Sequence, residues 1–202
     1  MPKGELLPVR VLIVDDRVGI SSFGQIAKVK LELENYLVDH VTTLGEARAK
    51  LARSYYDIIV LDVTMQSTKD GIAIVQELRT KGHGEPIVLA TGNDHYLQQR
   101  IADFGDIFSQ GLIVFFNKTA KIPIEEVVRN LATRIDPLKR ALRLMSAAGM
   151  GDRSLKLIDG TTTTVDDILN SSLGTDALAM ALRDGLSALL FEMQTREERK
   201  RK

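Results

Sequence analysis

Four apolar runs in this chain each lead into a side chain with chemistry to offer. Residues 11–14 run into Asp15 and Asp16, 58–61 into Asp62, 87–90 into Thr91, and 112–116 stop just short of Lys118. In an open parallel sheet, ligands bind outside the carboxyl ends of the strands, so residues at four such ends can converge on one crevice. Carboxylates are hard oxygen ligands of the kind Mg²⁺ prefers. An ammonium and a hydroxyl beside them can hold phosphoryl oxygens by charge-assisted and ordinary hydrogen bonds. The residue types therefore describe a pocket for a divalent cation next to a phosphoryl group.

The elements that would have to position these residues are legible from hydrophobic periodicity. Strands are expected at 10–14, 36–41, 57–61, 86–90 and 111–116, and helices at 20–34, 44–53, 71–80 and 94–104, with a last one opened by Pro123. Thr43 is placed to cap the second helix. Strands that alternate with helices pair in parallel through right-handed crossovers. Strands that are nearly continuous Val, Ile and Leu are covered on both faces. The expected fold class is α/β, a flavodoxin-like doubly wound five-stranded parallel sheet of order 2-1-3-4-5, followed by a small all-α C-terminal extension.

The segments that carry the chemistry are those at 11–16, 59–65, Asp70-Gly71, 88–92 and 114–118. In this order and spacing, they resemble the receiver domain of two-component response regulators, over roughly residues 9–135. The resemblance implies a phosphorelay role. Asp62 would be the nucleophile that takes a phosphoryl group from a partner sensor histidine kinase or phosphotransfer protein. Asp16 and Asp62 would ligate Mg²⁺ directly, Asp15 directly or through water, and the main-chain carbonyl of Thr64 would add an oxygen. Lys118 would hold the phosphoryl oxygens and Thr91 would donate its hydroxyl to them. Thr91 and Phe115 would then move together, changing the face built from helix 94–104, strand 111–116 and the helix after Pro123. Taken singly, Asp15-Asp16 and Thr91-Gly92 are ordinary turn pairs, Lys118 a solvated lysine and Phe115 a core residue. The ordered set carries the reading.

Two departures from the family pattern bear on the site. Gln66 stands where proline is usual, and Ser67, Thr68 and Lys69 lengthen that loop by one residue. Lys118 is followed by Thr119 instead of the usual proline, whose peptide bond is typically cis in the family. A non-prolyl cis bond costs roughly 3–4 kcal/mol, so either that strain is retained or the loop is rebuilt.

The organisation expected is a lead-in at 1–8, a receiver at 9–135 and a helical output or interaction segment at 136–202. In the last of these, Pro137 argues against one helix running through, 149–151 is a breaker, and 161–164 reads as a loop. Thr164 with Asp167 suggests a capping box. Leu178, Leu182, Leu186, Leu189 and Met193 form one apolar stripe, so a homodimer or a helical protein partner is expected. Lys plus Arg equals Asp plus Glu at 27 each, which gives no global field toward nucleic acid or a membrane. With no apolar run of 18 residues and no apolar leader, a cytoplasmic protein is expected. The chain has no cysteine, and His40, His83 and His95 lack metal-ligand spacing, so the phosphodonor histidine must come from a partner. The reading is of a switch and not an enzyme. Two alternatives stand beside it: a DNA-binding transcriptional response regulator with a helix-turn-helix in 165–190, and an interaction-only receiver whose acids never accept phosphate.

Overall fold

The computed structural model describes residues 8–65, 70–81, 84–92, 111–119, 121–156 and 161–170. The expected helix at 94–104, the inserted loop at 66–69, His83, His95, most of the 165–190 segment and the 178–193 stripe lie outside the described residues. The chain divides into two compact units, with the boundary after Arg134.

In the first unit, β1 (Arg10–Val14), β2 (Leu37–Val41), β3 (Ile58–Asp62), β4 (Ile87–Thr91) and β5 (Ile113–Asn117) form one parallel sheet in the order β2-β1-β3-β4-β5. Among the described residues, the helices of this unit are α1 (Phe23–Leu33), α2 (Leu44–Leu51), α3 (Asp70–Thr80) and α4 (Ile124–Ala132). Burial follows strand position. β3 and β4 are buried throughout, while the edge strands β2 and β5 are half-exposed. Leu12, Val14, Ile59, Leu61 and Leu89 pack with Ile74, Val75 and Leu78 of α3 in one apolar cluster. The register sets Val14 beside Leu61, Asp62 beside Ala90, and Thr91 beside Asn117. The carboxyl ends are therefore level, and Asp15 and Asp62 flank the β1/β3 switch point, where doubly wound sheets bind ligands.

Local capping explains where the helices begin. Thr43 accepts from the Glu46 amide while the Glu46 carboxylate accepts from the Thr43 amide, a reciprocal capping box at α2. At α1, Ser22 Oγ accepts from the Gln25 amide at 3.3 Å, so the helix starts at Phe23, three residues later than residue 20. The intervening loop turns at Gly19, whose φ of 118° lies in the left-handed region that suits glycine. Lys30 pairs with Glu125 at 3.2 Å, and Arg129 with Glu34, fastening α1 to α4.

The second unit opens with α5 (Pro137–Met145), whose Asp136 cap accepts from the Leu138 and Lys139 amides. Proline is tolerated there because a first-turn amide has no intrahelical partner. A π-helical turn at Ser146–Met150 follows, and then β6 (Ser154–Lys156) pairs antiparallel with β7 (Thr162–Thr164) ahead of α6 (Val165–Asn170). The extension expected to be all α thus also carries a small ribbon, and the expected loop at 161–164 supplies one of its strands; three consecutive β-branched threonines suit a pleated surface. Thr164 and Asp167 make the expected capping box, with bonds of 3.1 and 3.3 Å. Leu142, Met145, Leu155, Val165 and Ile168 form this unit's own core. Among the described residues, no helix is long and apolar enough to cross a membrane.

Candidate functional site

The strand ends bring Asp15, Asp16, Asp62, Thr91 and Lys118 to one edge of the sheet. Asp15 follows β1 and is held there by its amide, which donates to the Val41 carbonyl at 3.1 Å. Its Oδ1 accepts from the Arg17 amide at 3.0 Å, a tight turn that aims the other oxygen inward. Asp62 closes β3 in the same manner: its Oδ1 accepts from both the amide and the hydroxyl of Thr64, each at 3.0 Å. Lys118 is placed by its amide, which donates to the Thr91 carbonyl at 2.8 Å and extends the β4–β5 ladder. Its Nζ then donates to Asp15 Oδ2 at 2.8 Å and Asp62 Oδ2 at 2.7 Å. Each carboxylate therefore spends one oxygen on its local turn and the other on the same ammonium.

The electrostatics are those of a nearly dry pocket. The side chains of Asp15 and Asp62 are 1% exposed and that of Lys118 is 10% exposed, so the ion pairs are little screened by water. Asp15, Asp16 and Asp62 each offer an oxygen, and these oxygens lie within 4.8 Å of one another. An all-oxygen set of this charge fits a hard divalent cation such as Mg²⁺ and does not suit a soft metal. Thr91 is fully buried at the end of β4. Phe115 is half-buried and packs against the central cluster.

The loop after β5 answers the question posed by Thr119. No described peptide bond is cis. Instead, Asn117 Oδ1 accepts from both the amide and the hydroxyl of Thr119 at 2.7 Å, an Asx turn that rebuilds the loop around a trans bond.

Several residues of the site were not singled out in the sequence. Phe23, first in α1, lies beside Lys118, with its ring centroid 4.7 Å from Nζ. Its ring also packs on Phe116, at 5.8 Å between centroids. A cavity of about 580 Å³ opens next to them, lined in part by Arg17, Thr64, Gly92 and Ile122. His40, which has no metal-ligand spacing to the other histidines, is half-buried with Nε2 3.3 Å from the Asp15 carbonyl oxygen. Its imidazole packs on Gly24, where a Cβ would lie 2.9 Å from His40 Cε1 and 3.0 Å from Asp15 Cβ. Glycine at this position lets α1 approach the acidic turn closely. A serine immediately before an apolar stretch was the available signal for Phe23; the others arise from tertiary contact alone.

Comparison with known proteins places this architecture. ResD of Bacillus subtilis, a transcriptional regulatory protein, is 37% identical over 82 residues, covering 41% of this chain and 32% of ResD. The regulatory protein VanR of Enterococcus faecium is 35% identical over 85 residues, 42% of this chain and 35% of VanR. The probable transcriptional regulatory protein TcrX of Mycobacterium tuberculosis is 28% identical over 173 residues, 83% of this chain and 63% of TcrX. The chain thus spans between about a third and somewhat under two thirds of the length of these curated relatives. Among solved structures, the receiver domain of the Francisella response regulator 1452 superposes with a TM-score of 0.52 at 24% identity, covering 62% of this chain and 98% of that one. A two-component response regulator from Clostridium difficile gives 0.51 at 24% identity, with 62% and 97% covered. At such identity the structural likeness speaks for the fold alone. The family model described as the response regulator receiver domain matches residues 11–120, more than half of the sequence, and this chain belongs to that family.

Proposed function

We propose that this receiver is a phosphoacceptor in which Asp62 takes a phosphoryl group from a phosphohistidine of a sensor histidine kinase or phosphotransfer protein. The observation that carries the reading is the Lys118 ammonium, 2.7 Å from Asp62 Oδ2 and 2.8 Å from Asp15 Oδ2 in a pocket almost closed to water. A carboxylate oxygen of Asp62 attacks phosphorus; the O–P bond forms, the P–N bond breaks, and the departing imidazole nitrogen keeps the bonding pair. Lys118 turns toward the phosphoryl oxygens and neutralises part of their charge. The Thr91 hydroxyl, at the end of β4, donates to one of those oxygens. Asp15, Asp16, Asp62 and the Thr64 carbonyl would hold Mg²⁺, which supplies positive charge to the phosphoryl oxygens when bound.

Transfer exchanges a carboxylate for a dianionic group beside Thr91 and Lys118, and that change is the signal. We assign the response to the face carried by β5 and α4, and the output to the segment after residue 135, acting through protein contacts. A transcriptional output is the second reading. It is favoured by the names of the relatives, above all TcrX, whose alignment of 173 residues is longer than the first unit. DNA binding by the whole chain that strengthens on phosphorylation would select it over a protein-contact output.

Incubation with phosphoramidate, a small P–N phosphodonor, tests the proposal. With Mg²⁺, intact-mass measurement is expected to show a single added phosphoryl group, and with a chelator none. Labelling indifferent to the divalent cation, or absent under both conditions, would contradict the metal-assisted phosphoacceptor.

A further inference from the structure

We infer that Phe23 is the positioning residue for Lys118, holding the ammonium over the acidic pocket through the face of its ring. The inference rests on the reading of Asp62 as phosphoacceptor. Among the described residues, the ammonium is held by Asp15 Oδ2 at 2.8 Å, Asp62 Oδ2 at 2.7 Å and the face of the Phe23 ring, with its centroid at 4.7 Å. The first two anchors are the carboxylates that a divalent cation would also engage. When a cation takes them, the ammonium meets a like charge and weaker acceptors. The ring is the anchor outside that competition, since its negative face attracts a cation without being a metal ligand.

The ring is itself held in place. Its tilted packing on Phe116, at 31° between planes, backs it with a residue that is 6% exposed. The Ser22 cap fixes the first turn of α1, and with it the direction in which Phe23 leaves the helix. Lys118 and Phe23 line the same cavity as Thr64 and Gly92, where an arriving phosphodonor finds room. An ammonium kept there by the ring is already oriented toward the incoming phosphoryl oxygens and needs no search when the metal loads. Plain core packing would need only the shape of the ring; positioning needs its electrons.

Mono-, di- and trifluorophenylalanine at position 23 separate these two roles, because fluorine keeps the shape and drains the negative face. In the metal-free full chain, NMR is expected to show the Lys118 ε-methylene protons shifted upfield by the ring current, with the shift lost in Phe23→Leu. At saturating Mg²⁺, the initial rate of labelling by phosphoramidate is expected to fall stepwise with fluorine number. The total loss is about tenfold, matched by Phe23→Leu, while the far-UV circular dichroism of the fluorinated series stays that of the folded wild type. A flat rate across the series would overturn the inference, as would the absence of the ring-current shift. If the wild type itself is not labelled, the phosphoacceptor reading fails, and the metal-free NMR comparison still decides where Phe23 holds the lysine.

Discussion

Replacing Lys118 by methionine is expected to lower the unfolding free energy of the metal-free protein by about 3–5 kcal/mol, the usual cost of stranding a buried ionic partner. Methionine keeps the apolar stem and removes the charge. Asp15 and Asp62, each 1% exposed at the side chain, are then left facing one another and Asp16 without a cation. A divalent cation is expected to reverse much of the loss. Binding only to the folded state adds stability as RT ln(1 + [L]/Kd), about 2.7 kcal/mol at a hundredfold excess over Kd. The variant gains more at a given Mg²⁺ concentration than the wild type, because no ammonium competes for the carboxylates. Urea denaturation across a Mg²⁺ titration checks this: the gap between the two proteins should narrow as Mg²⁺ rises. A gap that stays constant would mean that the lysine and the cation do not share ligands.

The second large effect is chemical. Asp62→Asn is expected to accept no phosphoryl group at all, while keeping the fold. The asparagine Oδ1 can still accept from the Thr64 amide and hydroxyl, which now donate to Asp62 at 3.0 Å, so the turn at the end of β3 survives. What is lost is the anionic nucleophile, since a neutral amide cannot form the mixed anhydride with phosphorus. Asp15→Asn makes the same change of charge in the same pocket and leaves Asp62 in place. It is expected to label more slowly than the wild type, yet measurably. Initial rates by intact mass distinguish the two. Comparable labelling of Asp62→Asn and wild type would remove Asp62 from its role.

What the sequence revealed and what it hid follow from the range of the interactions involved. The strands at 58–62 and 87–91 were legible within a residue because doubly covered parallel strands must be continuously apolar. The candidate site was legible as a set because each member closes or follows one of those strands, so the strand ends bring its members together. α1 starts later than the apolar pattern near Ile20 suggests, because the turn at Gly19 and the cap at Ser22 delay it. Ile20 is 92% exposed and plays no part in the helix. The ribbon is hidden in the sequence because a run of threonines reads as low complexity, although β-branched residues favour a strand once one is offered a partner. Phe23 under Lys118, His40 against the Asp15 carbonyl, and the single lysine shared by two carboxylates join residues distant in the chain. Their partnership is set by sheet order and register, which no local pattern encodes.

Locating the phosphoryl group itself decides whether Asp62 is the phosphoacceptor. An aspartyl phosphate is reduced by borohydride to homoserine at the carbon that carried the phosphoryl oxygen, so the modified residue can be read by peptide mass spectrometry. After treatment with phosphoramidate and Mg²⁺, homoserine is expected at position 62 and aspartate unchanged at positions 15 and 16. Reduction at position 15 or 16, or a stable phosphate on any serine or threonine with position 62 intact, would contradict it.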